Sequence, residues 1–282
     1  MPRDLRGLPI AITGASSGIG EATAILCARA GMPVALAARR IDRLEALATR
    51  IASETGVKAV AVACDVSRRQ DCERFIDEAA RAFGGLHAVF ANAGYGISAP
   101  AIDDPNAAPG LPSEAKLRAV LETNFFGTIA TIRPALVRFR AAGKGHVLVC
   151  SSCLSKVALP HLSAYTISKA AQDHLVRALR VELQTGGARA IHVSSVHPIG
   201  TRTELFDVAE KLSGDDAQGP AIRTPPSMMQ PASTVARAIV RCLRAPKSEV
   251  WTSTPARLAM ALGVAMPGVR DWVLARQAMR GK

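Results

Sequence analysis

Tyr165 and Lys169 stand four residues apart in SAYTISKAAQDHL, a stretch with helical patterning. That spacing places both side chains on one helical face. A phenol near its reference pKa of about 10 exchanges protons poorly at neutral pH. An ammonium beside it favours phenolate and brings it toward the working range. Ser152 lies 13 residues before Tyr165, just past a short apolar run. Its hydroxyl could hold a carbonyl beside the tyrosine. Asn124, in Thr123-Asn124-Phe125-Phe126-Gly127, puts an amide on an otherwise apolar helix face. These residue types suit proton exchange with a polarised oxygen, and they call for no metal. Y-x-x-x-K alone arises often by chance, so its weight depends on its surroundings.

A second constellation is TGASSGIG at residues 13–20, which follows an apolar run and opens a helix-like segment. In that setting Gly14 permits a sharp turn, Gly18 lets a pyrophosphate approach the backbone, and Gly20 lets the helix pack close to a strand. Ser16, Ser17 and Ile19 complete the loop. The start of a helix presents free N–H groups and partial positive charge to an anion.

The elements that must position these groups read as alternating strands and helices. Strands are expected at 8–13, 33–38, 57–64, 86–91, 146–150, 190–196 and 248–252. Helices are expected at 18–31, 41–55, from an N-cap at Ser67, from Ser113 with a bend or break near Pro134, at 163–186 and at 232–244. Cys72, Phe75, Ile76, Ala79, Ala80 and Phe83 share one face of the third helix. Ile167, Ala170, Ala171, Leu175, Ala178 and Leu179 are the expected inward face of helix 163–186. Residues 96–112 read as loop, and 198–230 as an irregular lid in which Met228 and Met229 read first as plain packing, with the border of an apolar pocket as the alternative. Apolar strands alternating with helices imply an α/β fold, a doubly wound parallel sheet of about seven strands covered on both faces. No linker divides the 282 residues, so one domain is expected over 1–282.

TGASSGIG, Asn92-Ala93-Gly94 after the fourth strand, and Ser152 with Tyr165 and Lys169 together resemble the short-chain dehydrogenase/reductase family over roughly residues 8–205. The resemblance implies a Rossmann-like fold and a catalytic tetrad. Tyr165 would be the general acid or base, and Lys169 would lower its pKa and bind the nicotinamide ribose. Ser152 would polarise the carbonyl, and Asn124 would hold a water that relays protons. Ser151 reads as a backbone-capping neighbour, while Thr166 and Ser168 read as pointing elsewhere. Cofactor contacts would come from Gly14, Ser16, Ser17, Gly18, Ile19, Gly20, Asp65, Val66, Asn92, Ala93, Gly94, Tyr165 and Lys169. Pro198, Ile199, Thr201 and Thr203 would complete them, with Ile199 standing where family members carry glycine. Asp65 matches the position that reads the adenine amino group.

The second strand ends Ala38-Arg39-Arg40, with no acid before Asp42. An acid there would bond an NAD ribose, whereas arginines suit a 2′-phosphate. NADP(H) is therefore expected over NAD(H), with Arg39 the family-matched partner and Arg40 beside it. The expected activity is an NADP(H)-dependent oxidoreductase interconverting a carbonyl and an alcohol on an apolar substrate. The alternative is a non-catalytic NADP(H)-binding sensor or scaffold.

The formal charge of +12 comes from 35 basic and 23 acidic residues, scattered along the chain. There is no like-charge block and no aromatic interleaving, so nucleic acid is not an expected partner. The N-terminus MPRDLRGLP has no apolar signal core, so a cytoplasmic protein with free thiols is expected. Cys27, Cys64, Cys72 and Cys242 read as small core residues, and Cys150 and Cys153 form a C-x-x-C at a strand end. The tail, 255–282, carries an apolar stripe beside several arginines, which suits pocket cover, a subunit contact or peripheral membrane contact. Family resemblance implies a homodimer or homotetramer through the helices at 113–141 and 163–186.

Overall fold

Seven short apolar segments pair in parallel to form the central sheet. They are β1 (Ile10–Thr13), β2 (Val34–Ala38), β3 (Ala59–Ala63), β4 (Ala88–Ala91), β5 (Gly145–Cys150), β6 (Ile191–His197) and β9 (Glu249–Trp251). Their order is β3-β2-β1-β4-β5-β6-β9. In this computed structural model the described residues are 2–97, 114–159, 162–204 and 229–280. Most of the expected loop at 96–112, most of the lid, His161 and Met228 fall outside them.

Strand side chains alternate between two cores, as the period of two requires. Ile10, Ile12, Val34 and Leu36 face α1 (Gly18–Arg29), α2 (Ile41–Thr55) and α7 (Ala232–Arg244). Ala11, Ala35, Val89 and Val147 face α3 (Arg69–Phe83), α5 (Gly127–Ala142) and α6 (Ser163–Thr185). Helices on both faces of a parallel sheet make the doubly wound architecture, as expected. Strand order reverses at β1, whose neighbours are β2 and β4, so a crevice opens at the carboxyl ends of β1 and β4.

Several local expectations are corrected. Ser67 does not cap α3. Its N–H and hydroxyl both bond Asp65 Oδ1, at 3.0 and 2.7 Å, and the helix begins at Arg69 behind Arg68. The long helix is not broken at Pro134, which lies inside α5. It changes at residues 122–126, a π-helical turn between α4 (Glu114–Leu121) and α5.

The inward face of α6 also differs. Ile167 is 50% exposed and Ala178 is exposed. The buried stripe includes Thr166, Ser168, Lys169, Gln172 and Asp173, because polar partners wait on the facing elements. Two short strands, β7 (Thr201–Arg202) and β8 (Gln230–Pro231), pair within the segment read as irregular. The tail forms two helices, α8 (Thr254–Ala265) and α9 (Pro267–Arg280).

Candidate active site

The crevice is a cavity of about 590 Å³. Every residue assigned from sequence to catalysis or cofactor contact lines it, save Gly20 and Asn124. Gly20 lies beneath the glycine loop, where an added Cβ would collide with the Gly14 carbonyl. Gly14 itself has φ +66°, and a Cβ there would stand 2.9 Å from the Ala93 Cα. Two backbones therefore meet where no side chain fits. Asn92 ties them, its Nδ2 donating to the carbonyls of Thr13 (3.0 Å) and Gly14 (3.3 Å).

Ser17 is the N-cap of α1 but makes no side-chain cap hydrogen bond. Its hydroxyl instead accepts from Arg40 Nη2 at 3.1 Å, and Ser16 Oγ accepts from the same nitrogen at 3.0 Å. The first amides of α1 are thus not capped by its own serine, and they begin where the loop is bare of side chains. This cradle fits a dinucleotide pyrophosphate. At Gly18 the close neighbour is the Thr203 methyl, which an added Cβ would meet at 2.9 Å. Thr203 therefore reaches the loop. Of the two arginines, Arg40 grips the loop, whereas Arg39 is exposed and makes no hydrogen bond among the described residues.

At the other end, α6 carries Tyr165 and Lys169 toward the loop after β5, which carries Ser152. The Lys169 ammonium is buried, donates to the Cys150 carbonyl at 2.8 Å, and lies 5.6 Å from the Tyr165 ring centroid. Burial pulls the lysine below its ordinary pKa. Burial pushes the Tyr165 phenol above its ordinary value, with the adjacent Ser152 hydroxyl acting the other way. Desolvation is the largest influence on the phenol in this geometry. Ser151 donates to the Lys169 carbonyl at 3.2 Å, a bond to the interior of α6 and not a cap at a helix end.

Asn124 stands behind the wall, fully buried. Its Oδ1 accepts from the Tyr95 N–H at 2.9 Å, and its Nδ2 donates to the Tyr95 carbonyl (2.8 Å) and Ser168 Oγ (2.9 Å). Its own carbonyl, in the π-helical turn, accepts from Thr128 Oγ1 (2.7 Å) and Gln172 Nε2 (2.6 Å). Those side-chain donors support the irregular backbone that aims the amide at the cleft wall. Ser168 and Gln172 do not line the cleft; they hold Asn124 from behind its wall, a support that sequence reasoning missed. The signal for both was polarity on a helix face that is buried.

His197 is a further residue to which sequence assigned no role. It is fully buried, its Nδ1–H donates to the Ser152 carbonyl at 3.1 Å, and its ring stacks on Trp251 at 4.6 Å. Burial holds it below its ordinary pKa. Behind it Lys156 Nζ pairs with Asp173 Oδ2 at 2.5 Å and with Glu249 Oε1 at 3.4 Å. Tyr95, Leu154, Leu159 and Leu162 give the tyrosine end of the cleft an apolar lining that sequence did not assign. Cys150 and Cys153 are free, and burial raises both thiols.

The short chain dehydrogenase family profile matches residues 9–212. The chain belongs to that family. An 11-beta-hydroxysteroid dehydrogenase A of Sesamum indicum is 30% identical over 273 residues, covering 96% of this chain and 75% of that protein. A short-chain dehydrogenase/reductase from Burkholderia phymatum, solved in complex with NAD, superposes with a TM-score of 0.82 at 22% identity over 95% of this chain and 96% of that one. A short chain dehydrogenase from Burkholderia cenocepacia, solved in complex with NADP, gives 0.74 at 26% identity over 90% of this chain and all of that one. This short-chain dehydrogenase is accordingly a nucleotide-binding oxidoreductase with a Rossmann-like fold.

Proposed function

We propose that this short-chain dehydrogenase uses NADP(H) to interconvert a carbonyl and an alcohol on an apolar small molecule, with Tyr165 as the proton donor or acceptor. The observation that carries the reading is the convergence of Ser152, Tyr165 and Lys169 at one end of a cleft whose other end is the bare glycine cradle. When bound there, the dinucleotide supplies or takes up the hydride.

Ser152 donates a hydrogen bond to the substrate oxygen. Tyr165 gives that oxygen its proton in reduction and takes it back in oxidation. A phenol is protonated at neutral pH, the form reduction needs. Lys169 holds the Cys150 carbonyl and its charge faces the phenol. Burial of Ser152 and Lys169 fixes the orientation of this set.

Arg40 at the end of β2, with no acid until Asp42, supports NADP(H) over NAD(H). One charge-assisted contact to phosphate contributes about 1.5–3 kcal/mol, so NADPH should bind roughly 10- to 100-fold tighter than NADH. Equal dissociation constants in a titration would remove that preference. Apolar side chains at the tyrosine end, together with the name of the sesame relative, support a hydrophobic carbonyl or hydroxyl compound as substrate. The test is oxidation of NADPH against a panel of apolar aldehydes and ketones. A sensor or scaffold would bind NADPH and turn over none of them.

The protein is also proposed to work in the cytoplasm as a homo-oligomer, since Phe126, Val137, Ile167 and Val181 expose apolar surface on or beside α5 and α6. Peripheral membrane contact through the tail is supported by Leu258, Leu262, Val264, Met266, Val269 and Trp272, each more than half exposed, beside Arg257 and Arg276. No single described helix is long and apolar enough to cross a membrane. Co-sedimentation with anionic vesicles at low salt, lost on deletion of 254–282, is the expected result.

A further inference from the structure

The adenosine end of the cleft is closed by a carboxylate from a distant part of the chain. Glu204 Oε2 lies 2.9 Å from Arg40 Nη1, and Glu204 Oε1 lies 2.7 Å from Arg43 Nη1. The other edge of the Arg40 guanidinium donates to Ser16 and Ser17 on the glycine loop. Glu204 lines the same cavity, and its neighbour Thr203 packs its methyl against Gly18. One acidic residue therefore holds two arginines beside the phosphate cradle, where the second strand ends.

We propose that Glu204 occupies the anion position of a cofactor 2′-phosphate, so that it is a specificity-determining residue which the phosphate must displace from Arg40 and Arg43. The inference rests on the reading of Arg40 as the partner of that phosphate. A phosphate monoester carries about −1.5 to −2 charge at pH 7 and three strong acceptor oxygens, against a single charge on Glu204. It therefore wins the guanidinium fork. The Arg40–Glu204 pair is about 40% exposed on both sides, so opening it costs little. Once displaced, the carboxylate is repelled by the phosphate, and Glu204 cannot return while NADP(H) is bound. A ribose with a free 2′-hydroxyl brings no charge and leaves the pair closed. Glu204 thereby sets the gap between the two dinucleotides: it weakens the one with the phosphate and is neutral toward the other.

The experiment is calorimetric titration of the full chain with 2′,5′-ADP and with 5′-AMP as probes. Glu204→Gln keeps the side chain's size and removes its charge, and Glu204→Ala removes both. Arg40→Gln serves as the control for the phosphate reading, and thermal melts establish that each variant is folded. Two exposed ion pairs set the scale, so both Glu204 variants should tighten 2′,5′-ADP by about three- to tenfold. The affinity for 5′-AMP should stay within twofold or so of wild type. An unchanged or weakened affinity for 2′,5′-ADP in both folded variants, with Arg40→Gln still weakening it, overturns the role of Glu204 alone. If the wild type binds both probes equally and Arg40→Gln changes neither, the phosphate reading falls, and the inference falls with it.

Discussion

Replacing Asn124 by alanine tests whether the buried amide, and not the surrounding apolar packing, fixes the wall of the cleft. The substitution removes three hydrogen bonds, to the Tyr95 N–H, the Tyr95 carbonyl and Ser168 Oγ. Ser168 keeps its bond to the Tyr165 carbonyl at 2.7 Å, so the loss falls mainly on Tyr95. At a net value of about 1 kcal/mol per bond the protein should lose about 3 kcal/mol. For a chain of this size that corresponds to a Tm lower by roughly 6–10 °C. Circular dichroism melts and denaturant titration measure both. Because Asn124 and Ser168 share a bond, Asn124→Ala with Ser168→Ala should be less than additive by about 1 kcal/mol. Turnover should fall as well, since Tyr95 lines the cleft. A loss under about 1 kcal/mol together with strict additivity would refute the reasoning, because the amide would then contribute no more than an ordinary surface group.

Tyr165→Phe should abolish NADPH oxidation with every carbonyl tested while NADPH still binds, which separates proton transfer from cofactor capture; residual turnover near wild type contradicts the assignment. Acidification should destabilise the fold through His87 and His146, which burial holds down to about 4 and about 3. Between pH 6.5 and those values the unfolded chain takes up protons that the folded one refuses, so stability falls as pH falls. Denaturation midpoints at pH 7 and 4.5 should differ accordingly, and by less in His146→Gln. Burial raises the thiols of Cys27 (up to about 12), Cys150, Cys153 and Cys242, so these four should alkylate slowly in the native protein at pH 8 and readily after unfolding.

The residues that meet in the cleft were legible because local rules place them. A four-residue helical spacing joins Tyr165 to Lys169, and a strand–loop–helix setting gives the glycines their work. The sheet was legible for the same reason, with strand ends misjudged by a residue or two. What local rules could not show depends on partners far away in the chain. Pro134 looked like the weak point of its helix, yet the backbone departs from regularity at Asn124, where Gln172 supplies the compensating donor. Ser67 looked like a helix cap until Asp65 claimed both of its donors. The face of α6 was misjudged because its buried stripe is polar, which an apolar periodicity search passes over. Glu204 lies 161 residues from Arg43, a pairing that no pattern in sequence announces. Sequence favoured Arg39 over Arg40 as the phosphate partner, whereas in the fold it is Arg40 that grips the glycine loop.

The stack of Trp251 on His197 has a reach beyond its place in the sheet. Trp251 sits on the edge strand and does not line the cleft, yet the imidazole it clamps holds the peptide of the serine that would meet the substrate. The outermost strand of the sheet is therefore a remote adjusting screw for the reacting oxygen. Its aim can be trimmed from a position where pocket shape is left untouched.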